Sequence, residues 1–209
     1  MKHRAVFLDK DGTLIEDVPY NVDPAQMRLT VGAGVGLGQM HQMGYQLIVI
    51  SNQSGVARGY FPESALAAVE QRLHVLLRPF NVSLAGFYYC PHHPEGTVAE
   101  YAIACACRKP APGLLIQAAR DHAIDLTASW FIGDILNDVE AGRSAGCQTI
   151  LLNNGNETEW LRSADREPHY ITMDLAEAAA IIRKAEGGGQ RADFPERQAM
   201  GGRGQKAKG

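Results

Sequence analysis

The stretch AVFLDKDGT, residues 5–13, joins a run of four apolar residues to two carboxylates. A short, continuously apolar run is typical of a parallel strand that is covered on both faces. Asp9 and Asp11 follow that strand directly, and ligands of open α/β sheets bind beyond the carboxyl ends of the strands. This segment therefore indicates the fold class and also the edge of the sheet at which a site is expected.

Apolar runs of the same kind recur along the chain and alternate with helical patterns. Further strands are predicted at residues 46–50, 85–89, 129–132, 149–152 and 169–172. Helices are predicted at residues 31–44, 62–77, 112–123, 137–145 and 174–185. The alternation predicts an α/β fold with a doubly wound, mostly parallel, Rossmann-like sheet. No long insertion follows Asp11 or Asn52, so we expect no separate cap domain.

The composition of the 209 residues limits the partners and the compartment. The formal net charge of −3 provides no basic field for nucleic acid or membranes. No apolar run reaches the roughly 18 residues of a membrane span, and residues 1–8 are too short for a signal peptide. Clustered cysteines favour a reducing compartment. We therefore expect a cytoplasmic monomer without nucleic-acid or membrane partners.

One change in composition divides the chain near its end. Residues 187–209 are Gly-rich, lack hydrophobic periodicity and carry five basic residues against two acidic ones. Such a segment buries too little apolar surface to offset the entropy of ordering it. We therefore expect one domain over residues 1–186 and a disordered, Gly-rich basic tail over residues 187–209.

Polar groups follow the carboxyl ends of several predicted strands. SNQSG follows the second strand at residues 51–55, and Asp134 follows the fourth. Asp9, Asp11 and Asp134 would repel one another unless a cation or different protonation states separate them. Three carboxyl groups and a hydroxyl suit Mg²⁺, a hard cation with oxygen ligands. Each aspartate alone could shape a loop or cap a helix, but their joint placement at neighbouring strand ends favours a site.

The segment CPHHPEGTVAEYAIACACRKP, residues 90–110, holds three of the four cysteines. Three thiols and one imidazole form a C-x-H…C-x-C set that suits tetrahedral Zn²⁺: Cys90, His92 or His93, Cys105 and Cys107. Four protein ligands close the coordination shell, so this metal would be structural, and a redox pair would need C-x-x-C spacing. Cys147 lies outside the cluster and is interpreted as a small buried residue.

The motifs DKDGT, SNQSG, RKP and GDILND, in this order over residues 4–155, resemble the haloacid dehalogenase superfamily of phosphatases with an aspartate nucleophile. The CPHHP…CACRKP segment resembles the zinc-loop branch of that superfamily, which contains heptose bisphosphate phosphatases and histidinol-phosphatases. The resemblance implies the α/β fold of that superfamily, Mg²⁺-dependent hydrolysis of a phosphate monoester and a structural Zn²⁺.

The resemblance also implies a role for each matching catalytic residue. Asp9 attacks phosphorus and forms an aspartyl-phosphate, while Asp11 protonates the leaving oxygen and then activates water. Mg²⁺ is held by the carboxylates of Asp9 and Asp134 and by the backbone carbonyl of Asp11. Ser51 and Lys109 bind the phosphoryl oxygens.

Supporting residues are implied in the same way. His92 is selected as the fourth zinc ligand, and Gly12 lets backbone N–H groups approach the phosphate. Asp138 is expected to hold Lys109 or to support the metal. The zinc loop, residues 90–107, and residues 17–20 are expected to wall the pocket. The substrate-binding residues implied are Asp17, Tyr20, Ser51, Asn52, Gln53, Ser54, Arg108 and Lys109.

The expected substrate is a small phosphorylated sugar. Arg108, beside Lys109, would bind a second anionic group, which favours heptose 1,7-bisphosphate over histidinol phosphate. Removal of its 7-phosphate would supply precursors of ADP-heptose and of the lipopolysaccharide core. Ile135 is a departure, because the heptose enzymes often have lysine there. A nucleic-acid end phosphatase would need a basic groove with aromatic side chains, and a zinc-dependent interaction module would leave the aspartates unexplained.

Overall fold

The predicted strands form one sheet in the computed structural model, which describes residues 2–161 and 163–187. The order across the sheet is β3-β2-β1-β4-β5-β6, and neighbouring strands pair in parallel. The strands are β1 (Ala5–Leu8), β2 (Gln46–Asn52), β3 (Gly86–Cys90), β4 (Trp130–Gly133), β5 (Gln148–Leu152) and β6 (Tyr170–Thr172). The predicted parallel sheet is therefore confirmed, with each bound within two residues of the expected one.

The predicted helices are also present in the described residues. They are α1 (Ala33–Gln42), α2 (Leu66–Leu77), α3 (Gly113–Asp121), α4 (Leu136–Ala145) and α5 (Leu175–Gly187). Helix α2 begins later than expected because Pro62 is extended and residues 63–65 form a 3-10 turn. Helix α5 runs one residue into the expected tail, and residues 188–209 lie outside the described part of the chain. None of the described helices is long and apolar enough to cross a membrane.

Both faces of the sheet are covered, which explains the continuously apolar strands. Val6 and Leu8 pack in one core with residues of α1, α2 and α5, while Ala5 and Phe7 pack in a second core with residues of α3 and α4. Successive side chains of a strand point to opposite faces, so a strand buried on both sides needs apolar residues at every position. The doubly wound arrangement is thereby confirmed, and no separate cap domain occurs within the described residues.

The strand order brings three chain segments to one edge of the sheet. Strand β1 lies between β2 and β4, and Leu8 is in register with Val49 on one side and Ile132 on the other. The backbone N–H of Asp9 continues the ladder by donating to the carbonyl of Ile132 at 2.9 Å. Residues at or just beyond these strand ends therefore face a common cleft.

Candidate active site

Three carboxylates meet at this edge of the sheet. Oxygens of Asp9, Asp134 and Asp138 lie within 4.8 Å of one another, and all three side chains are buried. Burial and the charges of Asp9 and Asp138 raise the pKa of Asp134 to about 8. Burial likewise raises the pKa of Asp138, to about 6, although Lys109 opposes the shift. Three buried carboxylates this close can all be ionised at neutral pH only if a positive charge compensates for their burial and mutual repulsion.

Lys109 supplies part of that positive charge. Its ammonium group is buried, forms an ion pair with Asp9 and lies 2.6 Å from Oδ1 of Asp138. It also donates to the carbonyl of Ile50 at 3.1 Å. Although burial opposes a charged amine, Asp138 and Asp9 raise the pKa of Lys109. Of the two expectations for Asp138, the structure therefore shows the contact with Lys109.

The remaining oxygens suit a hard divalent cation. Asp9 and Asp134 line an open cleft, whereas Asp138 does not and contacts Lys109, so the carboxylates of Asp9 and Asp134 are the ones that could hold Mg²⁺. Oδ1 of Asp134 accepts from the hydroxyl of Thr13 at 3.1 Å, which orients the carboxylate. Oxygen donors of this number and charge fit Mg²⁺, which usually keeps several waters beside one or two carboxylates.

The carboxylate of Asp11 lies outside this group. Its Oδ1 is 2.5 Å from the ammonium of Lys10, and its Oδ2 accepts from the amide of Gln53 at 3.2 Å. Burial raises the pKa of Asp11; Lys10 opposes that shift and Asp9 adds to it. A carboxyl group with a raised pKa is suited to donating a proton near neutral pH. Because the carboxylate of Asp11 lies apart from those of Asp9 and Asp134, the expected metal ligand of Asp11 remains its backbone carbonyl.

Residues at the end of β2 organise the opposite side of the site. Gln53 donates to the hydroxyl of Ser51 at 2.8 Å as well as to Asp11. Asn52 accepts from the backbone N–H of Lys109 at 3.0 Å and donates to the carbonyl of Lys109 at 3.1 Å. This two-point contact fixes the backbone from which the buried lysine extends, so Asn52 has a clear positioning role beside its expected contact with substrate.

Two adjoining clefts open above these groups. The inner one, about 210 Å³, is lined by Asp9, Asp11, Asp17, Asn52, Lys109, Asp134, Ile135 and Asn156. The outer one, about 260 Å³, shares Asp11, Asp17 and Asn52 and adds Pro19, Tyr20, Asn21, Gln53, Ser54 and Gly55. Asp17, Pro19 and Tyr20 of the expected wall are therefore at the site, whereas no residue of the zinc loop, 90–107, lines either cleft. Tyr20 contacts Tyr60 edge to face, with ring centroids 4.7 Å apart.

The cysteine loop gathers its four predicted ligands at one point. The three Sγ–Sγ distances are 3.0 Å for Cys90–Cys107, 3.1 Å for Cys105–Cys107 and 3.4 Å for Cys90–Cys105. Nδ1 of His92 lies 3.3 Å from the Cys107 sulfur and 3.6 Å from the Cys90 sulfur. The thiols are unpaired, since a disulfide bond would measure about 2 Å.

This cluster has the size and chemistry of a zinc site. With Zn–S bonds of about 2.3 Å, the edge of a tetrahedron is about 3.8 Å, slightly longer than the spacings observed. His93 points elsewhere, because its Nε2 lies 3.3 Å from the guanidinium of Arg58. The segment between β3 and α3 contains no helix or strand, so a bound metal would supply its internal order.

The sequence interpretation missed the segment after β5. Asn156 donates to Oδ2 of Asp134 at 2.7 Å, and Asn154 donates to the carbonyl of Gly12 at 2.7 Å. A signal was present, because NNGNE, residues 153–157, follows a buried strand as the other site motifs do. Lys10, the partner of Asp11, was also given no role in the sequence analysis, because nothing in DKDGT distinguishes this lysine from one on the surface.

Comparisons with known proteins agree with this geometry. The HAD-hydrolase-like family model matches residues 106–178. The D-glycero-beta-D-manno-heptose-1,7-bisphosphate 7-phosphatase of Pasteurella multocida is 37% identical, covering 86% of this chain and 97% of the relative. The enzyme of the same name from Yersinia pestis is 38% identical, over 86% and 95% of the two chains.

Two solved structures share the fold over most of their length. A HAD-like phosphatase from Mesorhizobium loti has a TM-score of 0.76 and 35% identity, covering 88% of this chain and 87% of that one. The D,D-heptose 1,7-bisphosphate phosphatase of B. bronchiseptica, solved with magnesium and phosphate, has a TM-score of 0.70 and 28% identity, over 87% and 99%.

A parallel sheet with an aspartate pair after its central strand, together with these matches, defines a phosphatase of the HAD type. The chain belongs to the haloacid dehalogenase-like phosphatases, in the branch that contains the heptose bisphosphate phosphatases.

Proposed function

We propose that this phosphatase hydrolyses the 7-phosphate of D-glycero-D-manno-heptose 1,7-bisphosphate, with Mg²⁺ at the carboxylates and Zn²⁺ in the cysteine loop. The names of its relatives support the substrate. The observation that carries the proposal is a pair of arginine charges, described below, which suits a second phosphate: Arg108 directly precedes Lys109 and interacts electrostatically with Tyr20 of the outer cleft. Residues 1–186 would form the catalytic domain, and four unpaired thiols suit a reducing compartment such as the cytoplasm.

The residues present support a two-step transfer through Asp9. Its carboxylate attacks phosphorus, the bond from phosphorus to the sugar oxygen breaks, and Asp11 gives its proton to that oxygen. Asp11 then accepts a proton from the water that attacks the aspartyl-phosphate, which releases inorganic phosphate and restores Asp9. Lys109 and Ser51 offset the charge on the phosphoryl oxygens. Bound Mg²⁺ would neutralise phosphoryl charge and would be held by Asp9, Asp134 and the Asp11 carbonyl.

Zn²⁺ would act at a distance from the reacting phosphorus. Cys107 directly precedes Arg108 and Lys109, so ordering the loop also orders these two side chains. The guanidinium of Arg108 donates to the carbonyl of His92, one of the four ligands, at 3.4 Å. The metal would therefore fix the position of a substrate-binding arginine as well as the loop.

Arg58 and Arg108 carry the positive charges, and together with His93 they form what we call the cationic rim. Arg58 contacts His93, and Nε of Arg58 is buried without a hydrogen-bond partner. Burial and the charges of Arg108 and Arg58 lower the pKa of His93, and burial together with Arg58 lowers the pKa of Arg108. Among the described residues, neither arginine forms an ion pair with a carboxylate.

Partly buried cations without carboxylate partners suit an anionic ligand. A second phosphate on the substrate would offset the repulsion within the cationic rim, and a planar guanidinium binds phosphate through two parallel hydrogen bonds. Histidinol phosphate instead carries an amine, which this rim would repel. The charge of the rim therefore favours the bisphosphate.

Replacing Arg108 tests this assignment. A charge-assisted contact is worth roughly 1.5–3 kcal/mol, so Arg108→Ala is expected to lower kcat/KM for the bisphosphate by about 10- to 150-fold. Hydrolysis of a simple aryl phosphate, which lacks the second phosphate, is expected to change little. Arg120→Ala, on the exposed part of α3, is the matched control. Equal losses on both substrates would assign Arg108 to the reacting phosphoryl group or to loop structure, and histidinol phosphate should then be assayed first.

A further inference from the structure

The segment after β5 contacts three separate parts of the active site. We call residues 154–157 the asparagine brace. Asn154 donates to the carbonyl of Gly12 at 2.7 Å, and Asn156 donates to Oδ2 of Asp134 at 2.7 Å. Oε2 of Glu157 accepts from the backbone N–H of Leu136 at 2.6 Å, at the first residue of α4. One short segment is therefore bonded to the ends of both β1 and β4.

The brace is itself held in one conformation. Oδ1 of Asn154 accepts from the backbone N–H of Asn156 at 3.2 Å, and Oε1 of Glu157 accepts from the backbone N–H of Glu159 at 2.9 Å. Glu157 also places a negative charge at the N-terminus of α4, where the helix dipole favours it. Backbone hydrogen bonds lower the pKa of Glu157 although burial opposes the shift, so this carboxylate stays ionised.

Asn156 and Thr13 together fix the orientation of the Asp134 carboxylate. Thr13 donates to Oδ1 and Asn156 donates to Oδ2, so rotation about the bond to the carboxyl group would break both contacts. Gly12 is needed for this approach: it has φ +79°, and a Cβ there would lie 2.3 Å from the Asn156 amide nitrogen and 2.1 Å from Asp134 Oδ2. The three residues thus form one packed unit around the carboxylate.

We propose that Asn156, supported by the rest of the asparagine brace, is a positioning residue that holds Asp134 in the orientation required to bind Mg²⁺. The inference rests on the magnesium site proposed above. Asn156 lines the inner cleft, so its amide acts from the open side of the carboxylate, while Thr13 acts from the buried side. Groups that orient a metal ligand typically contribute about 10- to 100-fold to metal affinity.

Direct metal binding tests the proposal without depending on turnover. Titration calorimetry with Mg²⁺, repeated with Mn²⁺ by electron paramagnetic resonance, is expected to show a dissociation constant about 10- to 100-fold higher for Asn156→Ala than for the unaltered protein. Asn153→Ala is the matched control, since Asn153 is an exposed asparagine in the same segment. It is expected to bind both metals as the unaltered protein does.

The dependence of activity on Mg²⁺ separates positioning from loop structure. Asn156→Ala is expected to need more Mg²⁺ for half-maximal activity but to recover most of its kcat at saturating Mg²⁺. A loss of kcat that persists at saturation, with unchanged metal affinity, would overturn the proposal. If the alanine variant does not fold, Asn156→Ser, which keeps a hydrogen-bond donor, is measured in its place and is expected to lose less affinity than a donor-free variant, Asn156→Val. Failure of the unaltered protein to bind Mg²⁺ would instead refute the magnesium site itself.

Discussion

The carboxylate site and the cysteine loop are both suited to a metal, yet they are built in opposite ways. The carboxylates of Asp9, Asp134 and Asp138 come from the ends of two strands and the start of α4, and the sheet buries them whether or not a metal binds. The four ligands of the cysteine loop come from residues 90–107 alone, and beyond Cys90, the last residue of β3, this segment has no helix or strand. The fold creates the first site, whereas the second site would create its own local fold.

The chemistry of the donors follows the same division. The carboxylate site presents oxygens at an open cleft, which suits a hard cation that keeps water and binds phosphate. The cysteine loop presents three sulfurs and one nitrogen, which close a tetrahedron and leave no position for substrate. The two metals should therefore respond differently to pH, and substitution of a carboxylate should leave the cysteine loop intact. Loss of zinc, in contrast, should also disturb Lys109, which follows the loop and pairs with Asp9 and Asp138.

Asp9→Asn is expected to have the largest effect and to act on one region only. The amide has the shape of the carboxylate but is a poor nucleophile, so kcat should fall by about 10⁴ or more. Phosphate release measures the loss, while circular dichroism and zinc content check that the sheet and the cysteine loop are retained. Residual activity within about tenfold of the unaltered protein would rule out covalent catalysis by Asp9.

Lowering the pH should weaken the binding of Zn²⁺ more steeply than the binding of Mg²⁺. Hydrogen bonds from Cys107 and Cys90 lower the pKa of Cys105 to about 7 against the effect of burial, and burial raises the pKa of Cys90 and Cys107. Below pH 7 all three thiols carry protons that Zn²⁺ must displace, so zinc affinity should fall by about 10³ per pH unit. Asp134, with a pKa of about 8, must lose one proton, so Mg²⁺ affinity should fall by only about tenfold per unit.

Zinc analysis and competition with a chelator provide the measurement for the cysteine loop, and calorimetry provides it for Mg²⁺. We expect one tightly bound Zn²⁺ per chain in protein purified without added zinc. The Asp9→Asn variant is the control, since its zinc affinity should change with pH as steeply as that of the unaltered protein. If the affinities for Zn²⁺ and Mg²⁺ changed equally steeply with pH, or if the zinc content were near zero, the proposed difference between the two regions would be wrong.

Cys147→Ala should have the smallest effect, and it tests whether the fourth cysteine belongs to the metal site. Burial raises the pKa of the Cys147 thiol to about 12, and its side chain packs in the same core as α3 and Cys90 without being one of the four groups that gather as metal ligands. Loss of one buried sulfur should lower the free energy of unfolding by about 1 kcal/mol, as seen in urea denaturation. Zinc content should stay at one per chain, and any loss of zinc would place Cys147 in the metal site.

Much of the fold was predictable because the strands are short apolar runs. Ala5–Leu8 has no polar residue since both of its faces are covered, and β4, Trp130–Gly133, is likewise apolar and buried throughout. The start of α2 was not predictable, because Pro62 suits the first turn of a helix as readily as the extended residue before one. Of the site, DKDGT and the cysteine spacing were visible, whereas Asn154 and Asn156 were missed because asparagine is common in loops.

The sequence by itself determined the strand pattern, the identity of the donors and the order in which the site motifs follow one another. These are local properties, set by residue chemistry and by spacing along the chain. Only the tertiary structure decided which groups are partners: Lys109 with Asp9 and Asp138, Asp11 with Lys10 and Gln53, Asn156 with Asp134 and Arg58 with His93. Those pairings depend on strand order, register and burial, which bring distant segments within hydrogen-bond distance and remove the water that would otherwise separate them.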